Sequence, residues 1–386
     1  MPSRRLPPHA DLNALTRALA QRRADGRPII DLTESNPTRA GFAYPSGLLK
    51  ELASDSALRY EPHAFGMPSA REAIARDHVR RGVTIDPDRI VVTASTSEAY
   101  TWLFKLLCDP GDAVLVPRPS YPLFDHLTAL EGVCTVPFNL EYHGRWEIDF
   151  ATLEGAPART RAVIVVSPNN PTGSYVTAHE LERLVAMCRD RNWALIADEV
   201  FADYPLDAGA PVTDIAARAD VSAFTLGGLS KSVGLPQLKL GWIVAGGPAE
   251  ARAAALAGLE LIADSFLSVN TPVQAAAGDL LERGGSIRTQ IHDRVRANLT
   301  ALRDLARSFA ACEVLNAEGG WSAVIRVPAT RTEEQLVLDL LDREGVLVHP
   351  GYFFDFQREA FVVVSLLPRP DVFRDGAARI LRLASS

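Results

Sequence analysis

Seven short apolar runs recur in one half of the chain, at residues 90–93, 113–116, 133–136, 162–166, 194–197, 223–226 and 242–245. Each is rich in Val, Ile, Leu or Ala, too short for a buried helix and suited to a strand covered on both faces. Several are separated by amphipathic segments of helix length, such as 177–192. Strands alternating with helices predict an α/β layer on a seven-stranded, largely parallel sheet. From residue 271 to about 309 the pattern turns helical, with only Gly284-Gly285 as an interruption. Shorter strand-like runs follow at 322–327, 345–348 and 361–365, with helices between and after. These predict a smaller α+β domain joined to the first by a long helix. The expected division is an N-terminal segment 1–45, a large domain 46–280 and a small domain 281–386 that includes the end of the long helix. There is no internal repeat and no low-complexity linker.

With 386 residues, 47% of them hydrophobic, the chain can bury a core large enough for more than one domain. Its net charge of −7 gives no support to a nucleic-acid or anionic-membrane surface. Cys108, Cys134, Cys188 and Cys312 are scattered without metal-type spacing. They read as free thiols in a reducing cytoplasm. Residues 1–10 contain Arg4 and Arg5 but no apolar stretch behind them, so a secretory signal is not expected. No run approaches the ~20 apolar residues of a membrane helix. Asn298-Leu299-Thr300 matches a glycosylation sequon but falls in a helical pattern, and is set aside.

Three residues follow three different apolar runs. Lys231 lies in Leu229-Ser230-Lys231-Ser232-Val233-Gly234-Leu235, a setting that would desolvate an amine and hold it still, as a Schiff-base lysine requires. Ser167-Pro168-Asn169-Asn170-Pro171-Thr172-Gly173 reads as a turn at a strand end, and Asp198 closes the run before Glu199. Alone, each has a commoner explanation: a solvated lysine, a turn asparagine, a capping aspartate. Together they stand at strand ends of one sheet, where ligands collect in open α/β folds.

These segments resemble the class I/II aminotransferases, fold-type I enzymes that use pyridoxal phosphate (PLP). The resemblance runs from about Asp31 to Phe354. It is reinforced by Ile90-Val91-Val92-Thr93-Ala94-Ser95-Thr96-Ser97-Glu98-Ala99, Asp109-Pro110-Gly111-Asp112 and Pro119-Ser120-Tyr121-Pro122. It implies that Lys231 carries the Schiff base and shuttles a proton, while Asp198 pairs with the pyridine nitrogen. Asn170 would donate to the cofactor's phenolic oxygen and to substrate, and Tyr121 would stack on the ring. Ser95, Thr96, Ser97, Ser230 and Lys239 would hold the phosphate, the first three at a helix N-terminus. Tyr60, in Tyr60-Glu61-Pro62, matches a tyrosine that reaches the phosphate of a neighbouring subunit, which implies a homodimer. Substrate contacts are expected from Asn36, Asn170 and Arg369, and the N-terminal segment is expected to pack on the small domain.

The chain departs from the family pattern at three places. Lys239 stands where an arginine is usual, which keeps the charge and loses the two-pronged geometry. Asp198-Glu199-Val200-Phe201 lacks the usual phenol at 201; Tyr204 is near in sequence, with its direction open. In Phe361-Val362-Val363-Val364-Ser365-Leu366-Leu367, Val363 occupies the position of the arginine that grips the substrate carboxylate. Arg39, Arg326 or Arg369 could reach in instead, although a lone arginine is more often a surface charge. Transamination between an amino acid and a 2-oxo acid leads. A PLP-dependent lyase acting on a cysteine-like substrate is the alternative, and a non-catalytic PLP-binding protein a further one. Eight histidines form no ligand pair at helical spacing, and Gly228-Leu229-Ser230-Lys231-Ser232 lacks the second glycine of a nucleophile elbow. Tyr44, Trp321, Tyr352, Phe353 and Phe354 suggest an apolar or aromatic substrate pocket, or simply core packing.

Overall fold

The computed structural model describes residue 3, residues 5–6, 12–207 and 215–386. The reading of residues 1–10, including Arg4, lies largely outside the described residues.

The strands, in chain order, are β1 (Ile30–Asp31), β2 (Ile90–Thr93), β3 (Ala113–Arg118), β4 (Cys134–Tyr142), β5 (Trp146–Ile148), β6 (Thr160–Val166) and β7 (Ala194–Asp198). They continue with β8 (Ala223–Gly228), β9 (Gly241–Gly246), β10 (Glu313–Val314), β11 (Ser322–Arg326), β12 (Val346–Leu347), β13 (His349–Pro350) and β14 (Phe361–Ser365). The large sheet has the order β2-β9-β8-β7-β6-β3-β4-β5. Neighbours from β8 to β4 are parallel, whereas β9 runs antiparallel to both β8 and β2. All seven expected runs are in it. The eighth strand, β5, is a three-residue hairpin return on β4; a segment so short carries no period-two signal. Every residue of β2, β8 and β9 is buried, as strands covered on both faces must be.

Helices form where caps agree with pattern. The helix Ala178–Arg191 opens on a capping box between Thr177 and Glu180 and closes on Asn192 in the left-handed region, φ 55°. The expected long helix from 271 is broken twice, at Ala276 and at Gly284, into Thr271–Ala275, Ala277–Arg283 and Gly285–Ala306. At Gly284 a Cβ would meet Leu280 O at 2.4 Å and Val233 Cβ at 2.6 Å, so close packing excludes a side chain there.

A second sheet, β10-β11-β14-β13, is antiparallel throughout. β1 pairs parallel with β12, tying the N-terminal segment to the C-terminal third. The turn after β6 docks against the approach to β11: Gly173 O accepts from the backbone N–H groups of Glu318 (3.1 Å) and Gly319 (2.8 Å). The Glu318 carboxylate accepts from Tyr175 N (2.9 Å) and Arg145 Nε (3.1 Å). Gly173 has φ +72°, and a Cβ there would stand 2.6 Å from Gly319 O. Gly173→Ala is therefore expected to lower stability by about 1–3 kcal/mol, read as a shift of the urea midpoint at unchanged slope.

Candidate active site

The carboxyl ends of β6, β7 and β8 open into a cleft of about 270 Å³ between the two sheets. Asn170, Asp198 and Lys231 line it, as do Thr96, Ser97 and Tyr121. This is the crevice where parallel strands end and backbone polar groups and helix termini are left facing a ligand.

Asp198 ends β7. Its Oδ1 accepts from Val200 N (3.1 Å) and its Oδ2 from the Tyr100 hydroxyl (3.0 Å). Burial pushes its carboxyl above the ordinary carboxylate range, against the pull of those two donors and of Lys231. Burial likewise lowers the Lys231 amine, with Asp198 opposing. Lys231 Nζ lies 5.1 Å from the Trp321 ring and 5.6 Å from that of Phe201, apolar walls that keep it dry. Phe201, which stands where the family pattern has a phenol, packs edge-on against Trp321.

The peptide that carries the lysine is clamped. The Tyr204 hydroxyl donates to Lys231 O (2.6 Å) and is 3.2 Å from Ser232 O. It faces the backbone and leaves the missing phenol unreplaced. Arg288 donates to Ser232 O (3.0 Å) and Ser232 Oγ (3.1 Å), and pairs with Asp77 at 3.2 Å.

The helix Thr96–Leu107 begins at the cleft. Ser95 caps it by accepting from Glu98 N (3.2 Å), and Glu98 Oε2 accepts from Ala94 N (2.6 Å). Ser95 is thus engaged as a cap, while Thr96 and Ser97 face the cavity. Gly241 packs beneath, where a Cβ would lie 3.1 Å from Thr96 N.

The structure does not bring every expected residue to the cleft. Ser230 and Lys239 are outside its lining, with Lys239 exposed in the left-handed region, φ 53°. Tyr60 is 74% exposed and lines a separate surface pocket with Trp102 and Gln274. Two residues expected to touch substrate, Asn36 and Arg369, lie outside the cleft's lining. Asn36 spends its side-chain oxygen on Thr38 N (3.0 Å) and the Thr38 hydroxyl (2.8 Å), a local turn. Arg369 is exposed and pairs with Asp371 at 3.3 Å, two residues along its own chain. Arg326 pairs with Glu313 at the surface and Arg39 is exposed; neither lines the cleft. Val363 does line it, with no polar atom to offer. Of the aromatic candidates, Trp321 and Phe354 form walls. Tyr44 is bonded to Gly234 O (2.7 Å), and Tyr352 is exposed.

Tyr100, Ser322 and Ser365, missed in the sequence, also line the cleft, as does His349, whose segment His349-Pro350-Gly351-Tyr352 resembles one that borders the substrate site in the family. Tyr100 had a signal: it lies four residues after Thr96, on the same helix face. Ser322, Ser365 and His349 meet only through strand pairing, which no local pattern reveals. Among the described residues, no helix is long and apolar enough to cross a membrane, and no three His, Cys, Asp or Glu gather as a metal site.

The buried amine has a measurable consequence for the cofactor-free protein. A lysine whose proton affinity is lowered by folding costs stability wherever the unfolded state is charged, and the cost fades as pH rises toward the free-lysine value of about 10.4. Lys231→Met should therefore melt higher than the wild type at pH 7, and the difference should shrink between pH 7 and pH 10 in thermal denaturation.

The sequence profile described as aminotransferase class I and II matches residues 27–371. An alanine aminotransferase of Mycobacterium bovis is 30% identical over 380 residues, covering 95% of this chain and 87% of the relative. A glutamate-pyruvate aminotransferase of Haemophilus influenzae is 28% identical, over 94% and 92% of the two chains. In three dimensions the alanine aminotransferase from Pyrococcus furiosus superposes with a TM-score of 0.87 at 24% identity, covering 95% of each chain. An aminotransferase from Escherichia coli gives 0.86, also at 24% identity, over 97% and 95%. The two superpositions show the fold, of PLP fold-type I, and the profile spans nearly the whole chain: it belongs to the class I and II aminotransferases.

Proposed function

We propose that this aminotransferase holds PLP in the cleft through Lys231 and moves the amino group of a neutral amino acid, alanine first, to a 2-oxo acid. The observation that carries the reading is the convergence of a desolvated lysine, a carboxylate and a helix N-terminus in one cavity. The donor set suits the cofactor. Asp198 would face the pyridine nitrogen, whose positive charge would offset the cost of an ionised carboxylate at a buried position. Thr96 and Ser97 would take the phosphate at the helix N-terminus, with Ser95, Ser230 and Lys239 around it, and Tyr121 would cover the ring. Asn170 would reach the phenolic oxygen. Alanine is suggested by the relatives' names, and a neutral side chain by the absence of arginine from the cleft's lining among the described residues.

When bound, PLP supplies an electron sink for the bond broken at the substrate Cα. The protein's part is to position and to move the proton. Lys231 Nζ would take the proton from Cα, and burial, by lowering its proton affinity, favours the basic form that this step needs. Tyr204 and Arg288 hold the lysine's peptide still while the side chain swings. Trp321, Phe201 and Phe354 exclude water from the base.

Tyr60, exposed here, would complete the site of a second copy in a homodimer. Free thiols at Cys108, Cys134, Cys188 and Cys312 support a cytoplasmic protein. The division at residues 45 and 280 is supported by the β1 and β12 pairing and by the helix break at Gly284.

The test is one turnover of the PLP-loaded enzyme with alanine and no oxo acid. One pyruvate per protomer without ammonia is expected; no pyruvate from alanine, with continuing release of pyruvate and ammonia from a cysteine-like compound that can expel its β-substituent, would favour the lyase chemistry. Lys231→Ala should slow pyruvate formation at least about a thousandfold, measured by quenched-flow chromatography.

A further inference from the structure

β14 lies between β11 and β13, and its register sets four side chains on one face. Ser322 opposes Ser365, and His349 opposes Val363. Directly opposed residues of an antiparallel pair project from the same side of the sheet. All four line the cleft. Where the family resemblance places a carboxylate-gripping arginine, the strand carries Val363, 1% exposed. The residue across the ladder from it is a histidine.

We propose that His349 receives the substrate carboxylate, with Asn170 as second donor, in place of an arginine on β14. The inference rests on the aminotransferase reading and names the recognition element of its substrate. Among the described residues that line the cleft, only Lys231 and His349 can carry a positive charge, and Lys231 is committed to the cofactor. An imidazole offers an N–H in both its neutral and its charged form. The His349 imidazole has no hydrogen-bond partner among the described residues, so its ring nitrogens are available to a ligand. Phe354 meets it edge-on at 5.7 Å and Phe353 at a tilt at 5.8 Å, which fixes the ring and dries it. Burial lowers its proton affinity, with Asp31 opposing.

The other polar side chains sort themselves by their bonds. The Ser365 hydroxyl donates to Glu34 O (2.6 Å) and accepts from Leu367 N (3.2 Å), so it is spent on backbone. The Ser322 hydroxyl donates to Asn170 Oδ1 (3.1 Å). That bond fixes the asparagine amide and leaves its NH₂ group, without a partner among the described residues, to donate to substrate. His349 and Asn170 thus supply N–H donors on a neutral scaffold for one carboxylate and not two. The donor class is an α-amino monocarboxylic acid.

The test uses the PLP-loaded enzyme, with alanine for kinetics and propionate, which has the carboxylate and no amine, for calorimetric binding. His349→Gln should raise the KM for alanine and the Kd for propionate by about tenfold each, with kcat within about threefold. Adding Val363→Arg to that variant should return both constants toward wild type, because the arginine enters from the facing position of the ladder. Where His349→Gln fails to fold, His349→Asn carries the same expectation. Unchanged KM and Kd in the histidine variant, loss of kcat at constant KM, or no propionate binding by the wild type would each overturn the proposal. If the wild type fails to transaminate alanine yet binds propionate through His349, the proposed donor falls and the carboxylate site stands.

Discussion

The site depends on holding a lysine's peptide rigid while its amine stays mobile and dry. Tyr204 reaches from the β7 side to the carbonyl of Lys231, and Arg288 reaches from the helix Gly285–Ala306 to the next carbonyl. A buried guanidinium is costly unless it is paired and fully bonded. Arg288 meets that condition through Asp77, Asp203 and Ser232. The same Asp203 is held ionised: burial works against its charge, but Arg288, Arg81 and Arg80 overcome it. Behind the peptide of Lys231 lies a charged, satisfied network, and in front of it a cavity with aromatic walls. This contrast localises unsatisfied polarity in the cleft, where a ligand can meet it.

The loss of a phenol at position 201 fits the same arrangement. A hydroxyl there would place a donor beside the lysine amine. Phe201 instead packs edge-on with Trp321, which also meets Tyr204 at 5.1 Å. The three rings form a continuous apolar wall whose far end carries the hydroxyl that clamps the backbone. Desolvation rather than hydrogen bonding then sets the proton affinity of Lys231.

Much of this was legible in the sequence because it is local. Strand runs such as 162–166 and 194–197 are apolar throughout, helix starts such as Thr177 and Ser95 carry their caps, and Asn170, Asp198 and Lys231 each follow a strand. What was illegible depends on pairing across long separations. His349 and Val363 become neighbours only through the β13 and β14 register. The direction of Tyr204 is fixed by Lys231 O, on another strand's end. Arg369 was attractive as a charge near the last strand, but two residues on, Asp371 offers it a partner at the surface. Without the register, a guanidinium that reaches a cavity and one that lies on the surface look alike. The break at Ala276 was equally hidden, since the residues around it are good helix formers.

The parallel pair between β1 and β12 bears on how the chain acquires its shape during synthesis. Ile30 pairs with Val346 and Asp31 with Leu347, some 300 residues apart. At translation rates of about 5–20 residues per second, the first strand waits roughly 15–60 s for its partner to leave the ribosome. During that interval Leu32, wholly buried in the finished protein, has no native surface to cover it. The large sheet has all of its strands within residues 90–246 and can assemble in the meantime. β1, made before the large sheet, is then among the last strands to find its partner, and the nascent chain carries an unpaired edge that chaperones can bind until β12 is made.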